Sequence, residues 1–174
     1  MNAPRTDLGQ ASRLPGSHLL GLGHFEAWRP RVIALLILTS ALLLAYWVAW
    51  SADRGIVASN HTAQYIAFEQ SFPLADGWLL TATLIAALQL SRRRPSALLW
   101  LLVLGGAGVY LCAMDVLYNL EHGIYSKGHG GAIELAINIL TAVLSTGLLA
   151  SAWDFRHELL AASPRRSAGL TSRD

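Results

Sequence analysis

The uncharged stretch VIALLILTSALLLAYWVAW, from Val32 to Trp50, decides the fold of this chain. A bilayer core about 30 Å thick needs about 20 apolar residues in a helix, which rises about 1.5 Å per residue. Three further stretches have this character, from about Pro73 to Leu90, Ser96 to Leu120 and Ala132 to Trp153. Because only a helix satisfies its own backbone within one apolar segment, the four stretches predict four transmembrane helices.

The composition also indicates a membrane protein. The chain is 53% hydrophobic and 14% charged, whereas a soluble domain has about 25% charged residues. The net charge is only +2 and the basic residues lie in separate places, so we expect no nucleic-acid partner. The single cysteine, Cys112, lies in an apolar run, which excludes a disulfide or a paired-cysteine site within one chain.

The placement of the basic residues predicts the orientation. Of the thirteen, eleven precede the first span, follow the fourth, or join the second to the third, and only Arg54 and Lys127 lie in the other two connections. This positive-inside pattern predicts cytoplasmic N and C termini. The short connections over 91–95 and 121–131 make neighbouring helices antiparallel, so the expected fold is an all-α integral membrane four-helix bundle.

Three regions are predicted along the chain. Residues 1–31 form a cytoplasmic arm, 32–153 the four-helix domain, and 154–174 a cytoplasmic tail. Because Leu8 to Trp28 has no clean helical period, we expect the arm to lie on the membrane surface or to be disordered. The use of arginine over lysine, with abundant alanine and leucine, is typical of a GC-rich bacterial genome. The expected location is therefore a bacterial plasma (inner) membrane, crossed several times.

Polar residues inside the spans gather near one end. Asp76 lies about one turn inside the second helix, Asp115 about two turns from the end of the third, and Glu134 begins the fourth. Asn119 follows Asp115, and Asn138 follows Glu134, by four residues, which places each pair on one helix face. The outer ends of these three helices lie at one level, so we predict a shared cavity in the outer half.

The sequence therefore supplies two groups of candidate site residues. Asp115, Asp76 and Glu134 are the candidate catalytic groups. The candidate ligand-binding residues are Asn119, Asn138, Glu69, His122, Glu121 and Tyr118. An intramembrane charge costs about 2.5–3.5 kcal/mol on insertion scales, and few basic residues are available at this end. Each acid should therefore be paired, protonated, hydrated or bound to a cation.

A structural reading of the same acids stands beside the functional one. Asp76 and Glu134 begin helices, where a carboxylate pairs with the helix dipole. Asp115 is harder to explain in this way, because it lies near a helix C-terminus, where the dipole disfavours a carboxylate. The histidines match no ligand spacing, so no metal site is predicted. No motif identifies a cofactor.

Three functions are compatible with this cluster. The first is an acid–base enzyme, such as an isomerase, cyclase or hydrolase, that acts on a lipophilic small molecule. The second is a protein that binds or transports protons or a metal cation. The third is an accessory subunit that packs against a larger membrane protein. The lipid bilayer is the expected surrounding in every case.

Overall fold

A computed structural model describes residues 15–58 and 61–161, and it is helical throughout, with no strand in that part of the chain. The elements are α1 (Pro15–Ala52), α2 (Arg54–Val57), α3 (Ala63–Glu69), α4 (Pro73–Ser91), α5 (Ser96–Glu121), a 3-10 helix (Ile124–Ser126), α6 (Gly128–Asp154) and α7 (Arg156–Ala161). Four candidate membrane spans are Gly23–Ala52, Ala63–Ser91, Ser96–Glu121 and Gly128–Asp154. The prediction of an all-α membrane four-helix bundle is confirmed.

The first helix differs from the sequence prediction because it begins at Pro15 rather than near Val32. The residues before the first span are therefore helical from Pro15 onward, while residues 1–14 of the predicted arm lie outside the described residues. Pro30 lies inside α1 without ending it. Phe25 and Trp28, five and two residues before this proline, both contact the ring of Phe155. This packing holds the N-terminal part of α1 against the bundle.

Local signals explain where the other helices begin. Pro73 is at the first position of α4, where its missing N–H costs nothing. The Thr62 side chain accepts a hydrogen bond from the backbone N–H of Tyr65 and so caps α3. Gly123 and Gly128 have positive φ angles of 60° and 66° on either side of the 3-10 helix. These two glycines allow the chain to reverse between α5 and α6.

The four long helices pack in chain order, α1 on α4, α4 on α5, and α5 on α6. The end that carries Arg29, Arg93 and Arg156 is called the arginine end below, and the opposite end, near Glu69 and Glu134, the carboxylate end. At the arginine end, Glu26 on α1 accepts hydrogen bonds of 2.7 and 2.8 Å from Arg93 in the α4–α5 turn. This ion pair joins α1 to the α4–α5 turn.

The apolar core lies toward the arginine end. Its buried members include Phe25, Leu36, Leu90, Leu101 and Leu159. The buried side chains toward the carboxylate end include the polar residues Asn119, Glu134 and Asn138 together with Tyr65, beside the apolar Trp50 and Ile124. Buried amide and carboxylate groups are therefore found at this end of the bundle.

α5 and α6 approach each other most closely through glycine. A Cβ atom on Gly105 would lie 2.7 Å from Cγ of Leu149, and one on Gly108 would collide with the Ser145 hydroxyl. Small residues allow such close backbone contact between membrane helices. The glycine face of α5 is therefore used within the chain.

Candidate ligand-binding cavity

A cavity of about 940 Å³ lies among the four long helices. Most of its wall is apolar, with leucines of all four helices along the sides. Val57, Ala58 and Phe72, from the connection between α1 and α4, cover part of the carboxylate end. Glu69, Asp76, Asp115, Glu134 and Asn138 line it as well. The cavity thus joins an apolar body to a polar end.

The cavity opens sideways between α1 and α6. These two helices are not packed along one another in the described residues, whereas each packs against its other neighbour. The strongly exposed large apolar side chains of the lining lie only on these helices, namely Leu42 on α1 (61% exposed) and Ile133, Ile137 and Leu140 on α6 (48–57%). These positions fall within the candidate spans, so the gap lies at the depth of the apolar helices.

Glu134 is the most deeply buried of the acids, at 7% exposed. It lies near the beginning of α6, and its Oε1 accepts a hydrogen bond of 2.7 Å from the Tyr65 hydroxyl on α3. Tyr65 is itself 1% exposed and also approaches Glu69. One tyrosine therefore joins two of the cavity carboxylates.

Two further acids are held by aromatic residues of α1. The Tyr46 hydroxyl donates to Oε2 of Glu69 at 3.0 Å, and the indole Nε1 of Trp47 donates to Oδ2 of Asp76 at 3.0 Å. Adjacent positions of one helix thus hold carboxylates on α3 and α4. Asp76 is in the first turn of α4, so its placement also fits the dipole reading given above.

Asp115 is approached by amides rather than by aromatic donors. The side chains of Asn119 and Asn138 lie next to its carboxylate. Asn119 is fully buried, yet neither its Oδ1 nor its Nδ2 has a partner that meets hydrogen-bond geometry. Buried polar atoms of this kind are uncommon and cost free energy, so Asn119 marks an incompletely satisfied polar environment beside Asp115.

Asn138 connects the cavity to the turn between α5 and α6. Its Nδ2 donates to the Tyr125 hydroxyl at 2.8 Å, and its backbone carbonyl accepts from the Cys112 thiol at 3.3 Å. Desolvation raises the pKa of Tyr125, so this hydroxyl keeps its proton at neutral pH. Tyr125 also lies near Asn119.

The cavity carboxylates have no cationic partner within the described residues. The ion pairs there both involve Glu26, at the arginine end. The basic residue Arg54 lines a second, smaller cavity of about 430 Å³ together with Asp76. There the Gln70 side-chain oxygen, in the amide orientation that suits its partners, accepts from both Nη atoms of Arg54 at 2.9 Å.

Asn119 does not line the cavity, and the remaining sequence candidates do not line it either. Tyr118 is stacked between Phe68 and His122, with ring centroids 3.6 and 4.1 Å apart. His122 also places Nδ1 2.9 Å from the Tyr118 carbonyl, and Glu121 is exposed at the end of α5. These three residues hold α3 against α5 or face outward.

Sequence reasoning missed the aromatic residues that hold the acids, Tyr46, Trp47 and Tyr65, and also Tyr125. Tyr46 and Trp47 read as part of the aromatic belt at a membrane boundary, which is where such rings are common. Tyr65 lies in a short helix within a connection, and nothing in its local sequence indicates that it reaches α6.

The described residues contain no group of three or more His, Cys, Asp or Glu side chains placed to hold a metal ion. Comparison of the chain with protein-family models, with curated proteins and with solved structures gives no match. The four apolar helices identify a multi-pass membrane protein, and its function has to be argued from the cavity.

Proposed function

We propose that this protein is a membrane enzyme that takes a lipophilic small molecule from the bilayer into the cavity and acts on it by acid–base chemistry. The observation that carries the proposal is the sideways opening between α1 and α6, which leads from lipid to a group of four carboxylates. Apolar pockets with a few convergent polar groups are the usual form of a small-molecule site.

The roles of the acids follow from their hydrogen bonds. Glu134 accepts from a tyrosine hydroxyl, which holds the carboxylate in one orientation as a proton acceptor. In the described residues no aromatic O–H or N–H group donates to Asp115, unlike Glu69, Asp76 and Glu134, and Asp115 is the proton donor in this proposal. Asp76, fixed by Trp47, is the alternative acceptor. A proton given at one position of the substrate and removed at another is an isomerisation or a cyclisation, and transfer through water is a hydrolysis.

The alternatives receive less support from the same residues. A proton or cation pathway needs polar groups across the bundle, but the apolar core around Leu90 and Leu101 lies toward the arginine end of the described residues. An accessory role would use the glycine face of α5 to pack against a partner helix, but Gly105 and Gly108 already pack against α6.

The experiment compares lipid extracts of cells that produce the full chain or its Asp115→Asn variant. Glu121→Gln is the matched control, because it removes an acid at the same end but outside the cavity. We expect two lipophilic compounds in the extracts that are isomers of each other or differ by one molecule of water. The wild-type and Glu121→Gln strains should share one ratio of these compounds, and the Asp115→Asn strain should have a different ratio. The purified wild-type chain should interconvert the pair. Identical extracts from the three strains, with the variants folded, would falsify the enzymatic proposal.

A further inference from the structure

The ionisable Asp, Glu, Lys, Arg and His side chains that line the cavity in the described residues are all acids. Four carboxylates line it, and no Lys, Arg or His side chain does so in the described residues. Neutral groups donate to three of them, namely the Tyr46 hydroxyl to Glu69, the Trp47 indole to Asp76 and the Tyr65 hydroxyl to Glu134. A carboxylate has about four acceptor positions, so one such donor leaves room for further N–H groups.

Asn119 gives a second and independent indication that something is missing at this end. It is 0% exposed and lies beside Asp115, and both polar atoms of its amide lack a hydrogen-bond partner. Asn119 does not line the cavity itself, so a ligand in the cavity contacts Asp115, and the amide lies beyond that carboxylate. Buried polar atoms without partners cost free energy, so the polar surroundings of Asp115 are incompletely satisfied.

The rest of the cavity sets the shape of the ligand. Toward the arginine end the lining is apolar, with Leu35, Leu104 and Leu148 on three different helices. The gap between α1 and α6 leads from this apolar part into lipid. A small hydrated cation would leave this space empty, and a lipid with an anionic head would be repelled by the acids.

We propose that the cavity binds a lipophilic amine, whose ammonium group lies at the end that Glu69, Asp76, Asp115 and Glu134 line and whose apolar body lies between α1 and α6. This inference rests on the proposed function, since it names the substrate class of the same cavity. The ammonium group supplies the positive charge that the lining lacks, and its N–H groups donate to carboxylates in the manner of a charge-assisted pair.

The test uses the full chain in nanodiscs of phosphatidylcholine, with dodecylamine as the probe and dodecanol as the uncharged probe of equal chain length. Thermal unfolding is followed as each probe is titrated, because a ligand that binds the folded state raises its stability. We expect dodecylamine to bind about ten- to hundredfold more tightly than dodecanol, as for charged hydrogen bonds of about 1.5–3 kcal/mol.

Substitutions of the cavity acids test whether these acids bind the amine. Asp115→Asn and Glu69→Gln, made separately, should each weaken dodecylamine binding by about tenfold and leave dodecanol unchanged. Two variants are used because either one alone could fail to fold. Glu121→Gln, outside the cavity, should bind both probes as the wild-type chain does.

The outcomes separate the two proposals. Equal stabilisation by dodecylamine and dodecanol overturns the amine inference and leaves a lipophile-binding cavity in place. Stabilisation by dodecylamine that persists unchanged in both acid variants also overturns the inference, because the amine then acts through the bilayer. Stabilisation by neither probe overturns the amine inference and the lipophile-binding function together.

Discussion

Tyr65 and Glu134 are joined by a hydrogen bond of 2.7 Å between positions 69 residues apart, and both side chains are buried. Tyr65 belongs to α3, a short helix at the beginning of the second candidate span, and Glu134 belongs to the last span. The bond therefore ties the cover of the cavity to its far wall, across the carboxylate end.

Replacement of this tyrosine should destabilise the chain. Tyr65→Phe keeps the ring but removes the donor, and the cost of leaving a buried acceptor without its donor is about 1–3 kcal/mol. The midpoint of thermal unfolding of the purified protein measures the loss. Tyr110→Phe is the control. Because Tyr110 is 65% exposed, this variant should unfold at the same midpoint as the wild-type chain. Equal midpoints for all three proteins would show that the bond contributes nothing to stability.

The contact between α5 and α6 predicts opposite effects at two neighbouring glycines. In Gly105→Ala the added methyl meets Leu149 at 2.7 Å and the Ser145 carbonyl oxygen at 3.2 Å, whereas at Gly106 nothing lies within 4 Å. Overpacking costs about 1–3 kcal/mol. Alanine favours a helix over glycine by up to about 1 kcal/mol at either position. Thermal unfolding should therefore show a loss for Gly105→Ala and no loss, or a small gain, for Gly106→Ala. A loss of the same size at both positions would contradict the observed packing.

The sideways opening makes Cys112 a probe of access from the bilayer. Cys112 lines the cavity and is the single cysteine of the chain, so labelling by N-phenylmaleimide reports one site. We expect this lipid-soluble reagent to label the protein in nanodiscs faster than a charged, membrane-impermeant maleimide.

The matched variant is Leu140→Trp, at an exposed lining position on α6, where the larger ring should narrow the gap and slow labelling. The same substitution at Leu99, which is 60% exposed and does not line the cavity, should leave the rate unchanged. If the impermeant reagent labels Cys112 as fast as N-phenylmaleimide, access is from the water and the lipid opening is not the route.

Part of the site could be predicted from local sequence. Glu134, Asn138, Thr141 and Ser145 follow the helical period, and the structure places all four along the cavity on one face of α6. Asp115, on α5, lines the cavity as well. The period does not distinguish a face toward the cavity from one toward a neighbouring element, however. Tyr118, three residues after Asp115, stacks on Phe68 instead, and His122, seven residues after Asp115, stacks on Tyr118.

The sequence by itself determined the four membrane helices, because the length of an apolar run and the need to satisfy the backbone in lipid are local properties. It also determined that acids gather near one end of the helices. The tertiary structure decided which donors hold those acids, since Tyr46, Trp47 and Tyr65 reach Glu69, Asp76 and Glu134 only through the packing of different helices. It likewise decided that α1 and α6 are not packed along one another. A gap between two helices depends on how each helix packs against its other neighbour, and it leaves no pattern in the residues of either helix.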